Sequence, residues 1–439
     1  MLATNRSTSL ALLFSSLAAL AVGGCKSEGG NGTPGAGGGG TTGAGGSGPG
    51  TGGRAGAGGS GSGAGGTSAP GGSGGTTSPS GSGGTASGST GGTTGSGGST
   101  SAGTGGAAGD ANRDTPMGTP DTPGAAGAGF RIYWIDVEGG AATLLISPTG
   151  QSLLADAGWE SRDAARIAAV LQQETGAKTL DFFLATHYHV DHVSGAPALA
   201  GMVKINNFID HGPSVEGGNE FNQYQMAVRA SMAEAKRMTA QPGTKVMLGG
   251  VELTILTAGG RVVTGLPTAV ANPGCANFTP PVDQQDEDPQ SVGFVARYGK
   301  FEFVDLGDLT GGVEHKLVCP MNQVGQVDLF QASQHGSNQS NIQPLATGFE
   351  AQVVVFNNGA SKGGDAAVFQ RFRSAPGIKD VWAMHKKASQ SAMQNADDAL
   401  IANPGGSDMA NWLKATVQAD GTFTMTNGGT KLTRTYQSR

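Results

Sequence analysis

From residue 130 onward, apolar and polar positions fall in short runs separated by Gly-Gly and Pro-Thr-Gly, and the spacing of the apolar positions changes along the chain. The runs 130–137, 142–147 and 151–156 are rich in β-branched and apolar residues and predict a strand meander with tight turns. Residues 162–174 switch to the helical period, with Ala165, Ile167, Ala168, Val170 and Leu171 on one face and Ser161 expected as the cap. A continuous apolar strand, 180–185, then runs into Thr186-His187-Tyr188-His189-Val190-Asp191-His192. A further apolar strand, 203–209, ends at His211. Residues 221–238 predict a helix whose mixed face, with Tyr224, Met226, Val228 and Met232, packs on the core. Residues 259–290, with their Pro, Asn and acidic positions, read as a long loop.

The first 129 residues follow another pattern. Residues 1–25 have a weakly basic start at Arg6, an apolar run over 10–22 and then small residues, the layout of a secretory signal. That run is too short to span a bilayer as a mature helix. Val22-Gly23-Gly24-Cys25 resembles the bacterial lipobox, which implies lipidation of Cys25, with Lys26 pointing to the outer membrane or cell surface. A conventional signal peptide, leaving a periplasmic or secreted protein, is the alternative. Of the 79 glycines, 39 fall between residues 29 and 109, where Arg54 is the only charged side chain. Such a composition cannot bury enough apolar surface to offset its ordering entropy, so residues 26–129 read as a disordered tether. A flexible chain of about 100 residues reaches roughly 50–60 Å. The remaining 130–439 form one large domain. The net charge of −6 argues against a fold that grips duplex nucleic acid by charge alone.

The chemistry concentrates after strand 180–185. In an extended or turning segment His187 and His189 project to one side and can reach one ion. Asp191 and His192 begin the next turn and can reach a second. Neutral imidazole and carboxylate suit zinc, iron or manganese.

His-x-His-x-Asp-His is the signature of the metallo-β-lactamase superfamily, and the resemblance extends from about residue 130 to 436. It implies an αββα sandwich: two mixed β-sheets face to face, helices outside, metals at one sheet edge. It also implies two divalent metal ions, most commonly zinc. Asp156, in Leu153-Leu154-Ala155-Asp156-Ala157-Gly158, resembles the aspartate that supports the histidine loop from behind. Asp308 resembles the carboxylate that bridges the metals, and His335 the late histidine of the second metal. The resemblance is nearest to ComEC-like metallo-hydrolase domains. Asp136-Val137-Glu138-Gly139-Gly140-Ala141-Ala142 is similar to their opening motif, and His335-Gly336-Ser337 to their His-His-Gly-Ser. Glu138, Gly140 and Gln334 depart from that pattern, and Asn357-Asn358-Gly359-Ala360-Ser361-Lys362 replaces a Gly-His-Pro element. These departures bear on nuclease activity more than on the metal site.

The family usually supplies a third histidine to the first metal, and His211 is the only histidine between His192 and Asp308. It is expected as a ligand, or else as a residue at the rim of the site. His315 and His385 are expected to be ordinary histidines, and Cys275 and Cys319, in an exported chain, invite a disulfide. Ser337 and Asn338 precede a helix-like stretch, 342–347; ordinary capping and turn formation is the first expectation for them and for Lys362, and an anionic group received at the helix N-terminus with Lys362 adding charge is the alternative. The resemblance implies a hydroxide activated between two ions, with Asp191 ligating the second and passing a proton to the leaving group. The expected function is an exported, lipid-anchored dinuclear hydrolase of a phosphodiester, ester, lactone or amide. Its substrate would be a small molecule, a nucleotide or a nucleic acid, and the membrane would be met only through the lipidated N-terminus. The alternative is a surface-displayed binding module on the same scaffold.

Overall fold

The computed structural model describes residues 129–231, 236–405 and 409–439. The signal segment, Cys25, the glycine-rich tether and Met232 lie outside the described residues. Among the described residues, no helix is long and apolar enough to cross a membrane.

The predicted meander forms the middle of a nine-stranded sheet. Phe130–Trp134, Thr143–Ile146 and Ser152–Ala155 pair antiparallel in succession. Thr179–Leu184, Lys204–Asp210 and Lys236–Thr239 extend it in parallel. Leu413–Val417, Thr422–Asn427 and Thr433–Gln437 extend the other edge antiparallel. A second nine-stranded sheet is antiparallel from Lys245–Leu248 through Val251–Ala258 and Gly293–Tyr298 to Phe301–Asp305. It continues in parallel through Leu329–Gln331, Val353–Phe356, Asp380–His385 and Ile401–Asn403.

Strand alternation decides which layer each side chain enters. Phe182 and Leu184 join Leu253, Phe294, Phe303, Val353 and Trp382 in the core between the sheets. Phe183, between them in sequence, faces the other way and packs with Ile167, Leu171, Leu199 and Tyr224 under the helices. On the second sheet, Val354 and Phe356 face Leu345, Phe349, Phe369 and Phe372. The result is the expected αββα sandwich.

Two local expectations are corrected. The helix predicted from residue 162 spans Ser161–Thr175, but Ser161 is its first turn and not its cap. The cap position is Glu160, whose side chain makes no capping hydrogen bond, while Asp163 in the first turn accepts from the preceding Trp159 N–H at 2.9 Å. The helix predicted over 221–238 is Gly218–Ser231, and Lys236–Thr239 is a strand. Lys236–Thr239 pairs in parallel with Lys204–Asp210, and Arg237 on it is held by Asp210 at 2.6 Å. Tyr224 and Val228 are buried as expected, whereas Met226 is exposed.

The long loop 259–290 contains short strands at Arg261–Val262 and Val270–Ala271. It is stapled to the second sheet's helical layer by a Cys275–Cys319 disulfide. Its far end returns across the sheet edge, where the Thr310 hydroxyl donates to Asp283 at 2.6 Å.

Candidate metal centre

The parallel strands deliver the predicted residues to one sheet edge. Thr179–Leu184 ends just before His187, and the short helix Val190–Val193 carries Asp191 and His192. Asp308 follows Phe301–Asp305, and His335 follows Leu329–Gln331. Two loops approach each other too closely for side chains. A Cβ on Gly307 would stand 2.8 Å from Thr186, and one on Gly336 would stand 2.2 Å from the Phe356 ring. Gly336 also has φ +80°, and Gln334 and His335 before it are left-handed at φ 49° and 53°. Two consecutive non-glycine residues in that region are uncommon, and here they turn the His335 ring inward.

Among the described residues the ligand-type atoms gather in three groups, of which Asp136, Glu138 and His385 form one apart from the histidine motif and two lie at it. Asp191, His192, Asp308 and His335 form one of these two, all buried. His192 Nε2 lies 3.2 Å from Asp191 Oδ2 and 3.4 Å from Asp308 Oδ2. His335 Nε2 lies 3.1 and 3.2 Å from the same oxygens. His187, His189 and Asp288 form the other. His187 Nε2 is 3.0 Å from His189 Nδ1, and Asp288 Oδ1 is 2.8 Å from His189 Nδ1 and 3.4 Å from His187 Nε2. The groups adjoin, with the His187 and His192 rings 4.1 Å apart between centroids.

His211 is not part of the first group. Its Nε2 lies 2.9 Å from Glu287 Oε2, and its ring packs against Tyr188 at 4.5 Å. The buried Glu287 carboxylate needs donors, and it also accepts from the Val215 N–H at 2.7 Å. The loop that supplies Glu287 supplies Asp288 one residue later, and Asp288 takes the corner expected for His211. Sequence reasoning missed Asp288. The signal available was an Asp286-Glu287-Asp288-Pro289 run before a strand, which resembles any polar loop. Its position is set by Val292, whose N–H donates to the Thr186 carbonyl at 2.8 Å, directly beside the histidine motif.

The residues fit the metal ions that the fold implies. Asp288 Oδ1 is buried and has no hydrogen-bond partner of acceptable geometry, although two imidazole nitrogens stand within 3.4 Å. Three ligand atoms within 4.8 Å of one another, one of them an unsatisfied buried carboxylate oxygen, is an arrangement a cation satisfies. Electrostatics agree in the second group. Burial opposes charge on Asp191, but the His192 and His335 rings outweigh it and hold the carboxyl well below its usual range. Burial likewise disfavours charge on His192, yet Asp308, Asp191 and Asp156 push its pKa well above the usual value. A site that draws positive charge this strongly is suited to a divalent cation.

Asp156 stands behind the ligands. Its carboxylate accepts from the Thr186 N–H at 2.9 Å and the Thr186 hydroxyl at 2.7 Å, and Oδ2 lies 2.7 Å from His192 Nδ1. This leaves Nε2 of His192 facing Asp191 and Asp308. Gln334 donates to Asp288 Oδ2 at 2.6 Å and so helps to hold that carboxylate.

A cavity of about 270 Å³ opens over both groups, lined by His189, Asp288, Asp308, Gln334, His335 and Lys362, with Ser337 and Gln339 at its side. Asn338 is not in the lining, because its side-chain oxygen accepts from Arg371 at 3.0 Å. The helix expected near 342–347 is Gln343–Phe349, and a side-chain carboxylate covers the N–H groups just before it. The buried Glu314 carboxylate accepts the Asn341 and Ile342 N–H groups at 2.9 and 3.0 Å. Burial raises the Glu314 pKa to about 7. His315 stacks on Phe278 at 6.0 Å. His385 is buried against Asp136 at 2.7 Å, tying the chain after Phe130–Trp134 to the end of Asp380–His385.

Fold and site together define the class: an αββα scaffold with clusters of metal-ligand residues at one sheet edge. Residues 136–261 match the family model of the metallo-beta-lactamase superfamily, which covers that segment of the chain. Its similarity to solved structures is distant. The diiron beta-hydroxylase CmlA from Streptomyces venezuelae is 13% identical with a TM-score of 0.33, over 54% of this chain and 45% of that one. The match thus spans under half the length of that enzyme. A diphosphatase of the PhnP family is 12% identical with a TM-score of 0.31, over 57% of this chain and 94% of that one. A metallo-beta-lactamase with a HARLDQ motif from Cronobacter sakazakii is 17% identical with a TM-score of 0.27, over 45% and 73%. No curated protein matches the sequence.

Proposed function

We propose that this chain is an exported, lipid-anchored dinuclear metal-dependent hydrolase, with zinc as the first expectation for both ions and a phosphodiester as the first substrate class. The observation that carries the substrate class is the cavity lining. It presents hydrogen-bonding and charged groups with the Lys362 ammonium among them, and the lining contains no large apolar side chain to hold an acyl chain. A compact anionic ester fits such a surface better than a hydrophobic lactone or lactam.

His187, His189 and Asp288 would hold one ion, and Asp191, His192, Asp308 and His335 the other. Bound there, the ions supply Lewis acidity and lower the pKa of coordinated water toward neutrality. The chain's own residues do the rest. Asp156 fixes the orientation of His192, and Gln334 fixes Asp288. Asp191 would pass a proton to the leaving oxygen, and Lys362 and Ser337 would receive the remaining phosphoryl oxygens. The competing reading is a surface-displayed binding module. It has no need of two buried ligand groups with a supporting carboxylate behind them.

The test is elemental analysis of the purified protein beside turnover of a phosphodiester, a lactone and a cephalosporin. Two ions per chain with phosphodiester turnover is expected. Two ions with turnover of the lactone alone would move the substrate class, and no turnover of any ester would favour the binding module. Globomycin-sensitive processing and a lipidated Cys25 by mass spectrometry would test the anchor.

A further inference from the structure

Lys362 does more than border the cavity. Its ammonium contacts Asp191 Oδ2 and lies 3.1 Å from His335 Nε2, two of the atoms that define the second ligand group. We propose that Lys362 is a resident cation of the second metal position, so that the second ion binds only by displacing it and the two positions load in sequence. The inference rests on the two-ion reading above.

Three observations carry it. First, the second group places the Asp191 and Asp308 carboxylates together in a buried setting, and the Lys362 ammonium reaches Asp191 from outside the group. Among the described residues, the first group, with Asp288 between His187 and His189, has no lysine or arginine among its ion-pair partners. Second, the ammonium and a second ion would use the same oxygen of Asp191 and the same nitrogen of His335. Two cations at that separation repel strongly, so one excludes the other. Third, the lysine has somewhere to go. Its side chain is 37% exposed, and its ammonium already stands 5.2 Å from the centroid of the Trp159 ring. That aromatic face can hold a displaced ammonium by cation–π attraction. The backbone need not move: the Lys362 carbonyl accepts from the Gly359 N–H at 2.9 Å, closing a tight turn. Only the flexible four-carbon stem swings. Once displaced, the ammonium stays at the cavity wall, where it can pair with an anionic substrate. Lys362 is therefore a positioning residue for metal loading.

The experiment is a zinc titration of the metal-free full chain against a chromophoric chelator, for wild type, Lys362→Met and Lys362→Arg. The wild type should show two steps, the second weaker. Lys362→Met should tighten the second step by about tenfold or more, because no ion pair has to be broken. Lys362→Arg keeps the cation and should keep the wild-type second step. The first step should be the same in all three proteins, which also reports that the variants fold. An unchanged or weakened second step in Lys362→Met overturns the inference while leaving the two-ion reading intact. Binding of one ion or none in all three proteins overturns the two-ion reading and this inference with it.

Discussion

Asp156 Oδ2 lies 2.7 Å from His192 Nδ1, and that contact ties the meander strand Ser152–Ala155 to a ring whose Nε2 faces Asp191 and Asp308. Asp156 sits in the left-handed region at φ 63°, a conformation aspartate tolerates better than most residues, and all of its acceptor capacity is spent on Thr186 and His192. Asp156→Asn keeps an oxygen for the Thr186 N–H but loses the charge behind His192. Metal affinity should fall by about 10–100-fold, as seen for partners of ligating histidines, with the fold retained. Chelator competition beside circular dichroism checks both halves.

His211 and Asp288 separate by metal content. Asp288→Ala should remove the first ion and leave the second largely bound. His211→Ala should leave metal stoichiometry near two. Its cost is to stability, about 2 kcal/mol, because the Glu287 carboxylate loses a buried donor. Elemental analysis and denaturant melts on the two variants distinguish the roles, and a lost ion in His211→Ala would return that residue to the ligand set.

Asp308→Ala removes a carboxylate facing both His192 and His335. Second-site occupancy and phosphodiester turnover should fall together. Full turnover with unchanged metal content in this variant would overturn the proposed mechanism.

The Cys275–Cys319 disulfide closes a loop with a sequence separation of 44. By chain entropy such a closure stabilises the fold by about 4 kcal/mol, with measured effects commonly smaller. The Cys275→Ser, Cys319→Ser double variant should therefore melt earlier. The same loop delivers Asp288, so first-site metal affinity should weaken as well. Thermal unfolding and zinc titration of the double variant test the pair of effects.

Asp136 carries a pH signature. Burial works against its charge, but His385, the Glu138 N–H and Arg166 hold its carboxyl below the usual value. A depressed carboxylate contributes stability that is fully present above the unfolded pKa, about 3.9, and is lost as pH falls through the folded value. Asp136→Asn should be less stable than wild type at pH 7 by about 2–4 kcal/mol, the scale for breaking a buried pair. The difference should shrink as pH drops below about 4. Urea melts from pH 2 to 7 for both proteins give the comparison, and a constant difference across that range would exclude the linkage.

The residues themselves determined the layers of this protein and one half of its site. Alternation in Phe182, Phe183 and Leu184 is a local property of a strand, so the sorting of side chains to the inner core or the helical face can be read from the chain. The His187 to His192 segment is equally local: six consecutive positions carry four ligand-type side chains, and the apolar strand before them explains why they end at a sheet edge. Other decisions were made by contacts between distant segments. Asp288 lies 101 positions after His187 by numbering, and nothing near it in sequence indicates that Val292 will pair with Thr186 and bring it to the imidazoles. His211 sits where a ligand was expected, but the demand of a buried Glu287 for a donor turned its ring elsewhere. The helix at Gln343–Phe349 was legible, whereas the Glu314 carboxylate covering the N–H groups before it was not. Periodicity reports which face of an element is apolar. Which polar atom meets which is decided by charge burial and hydrogen-bond satisfaction once the two sheets have closed on each other.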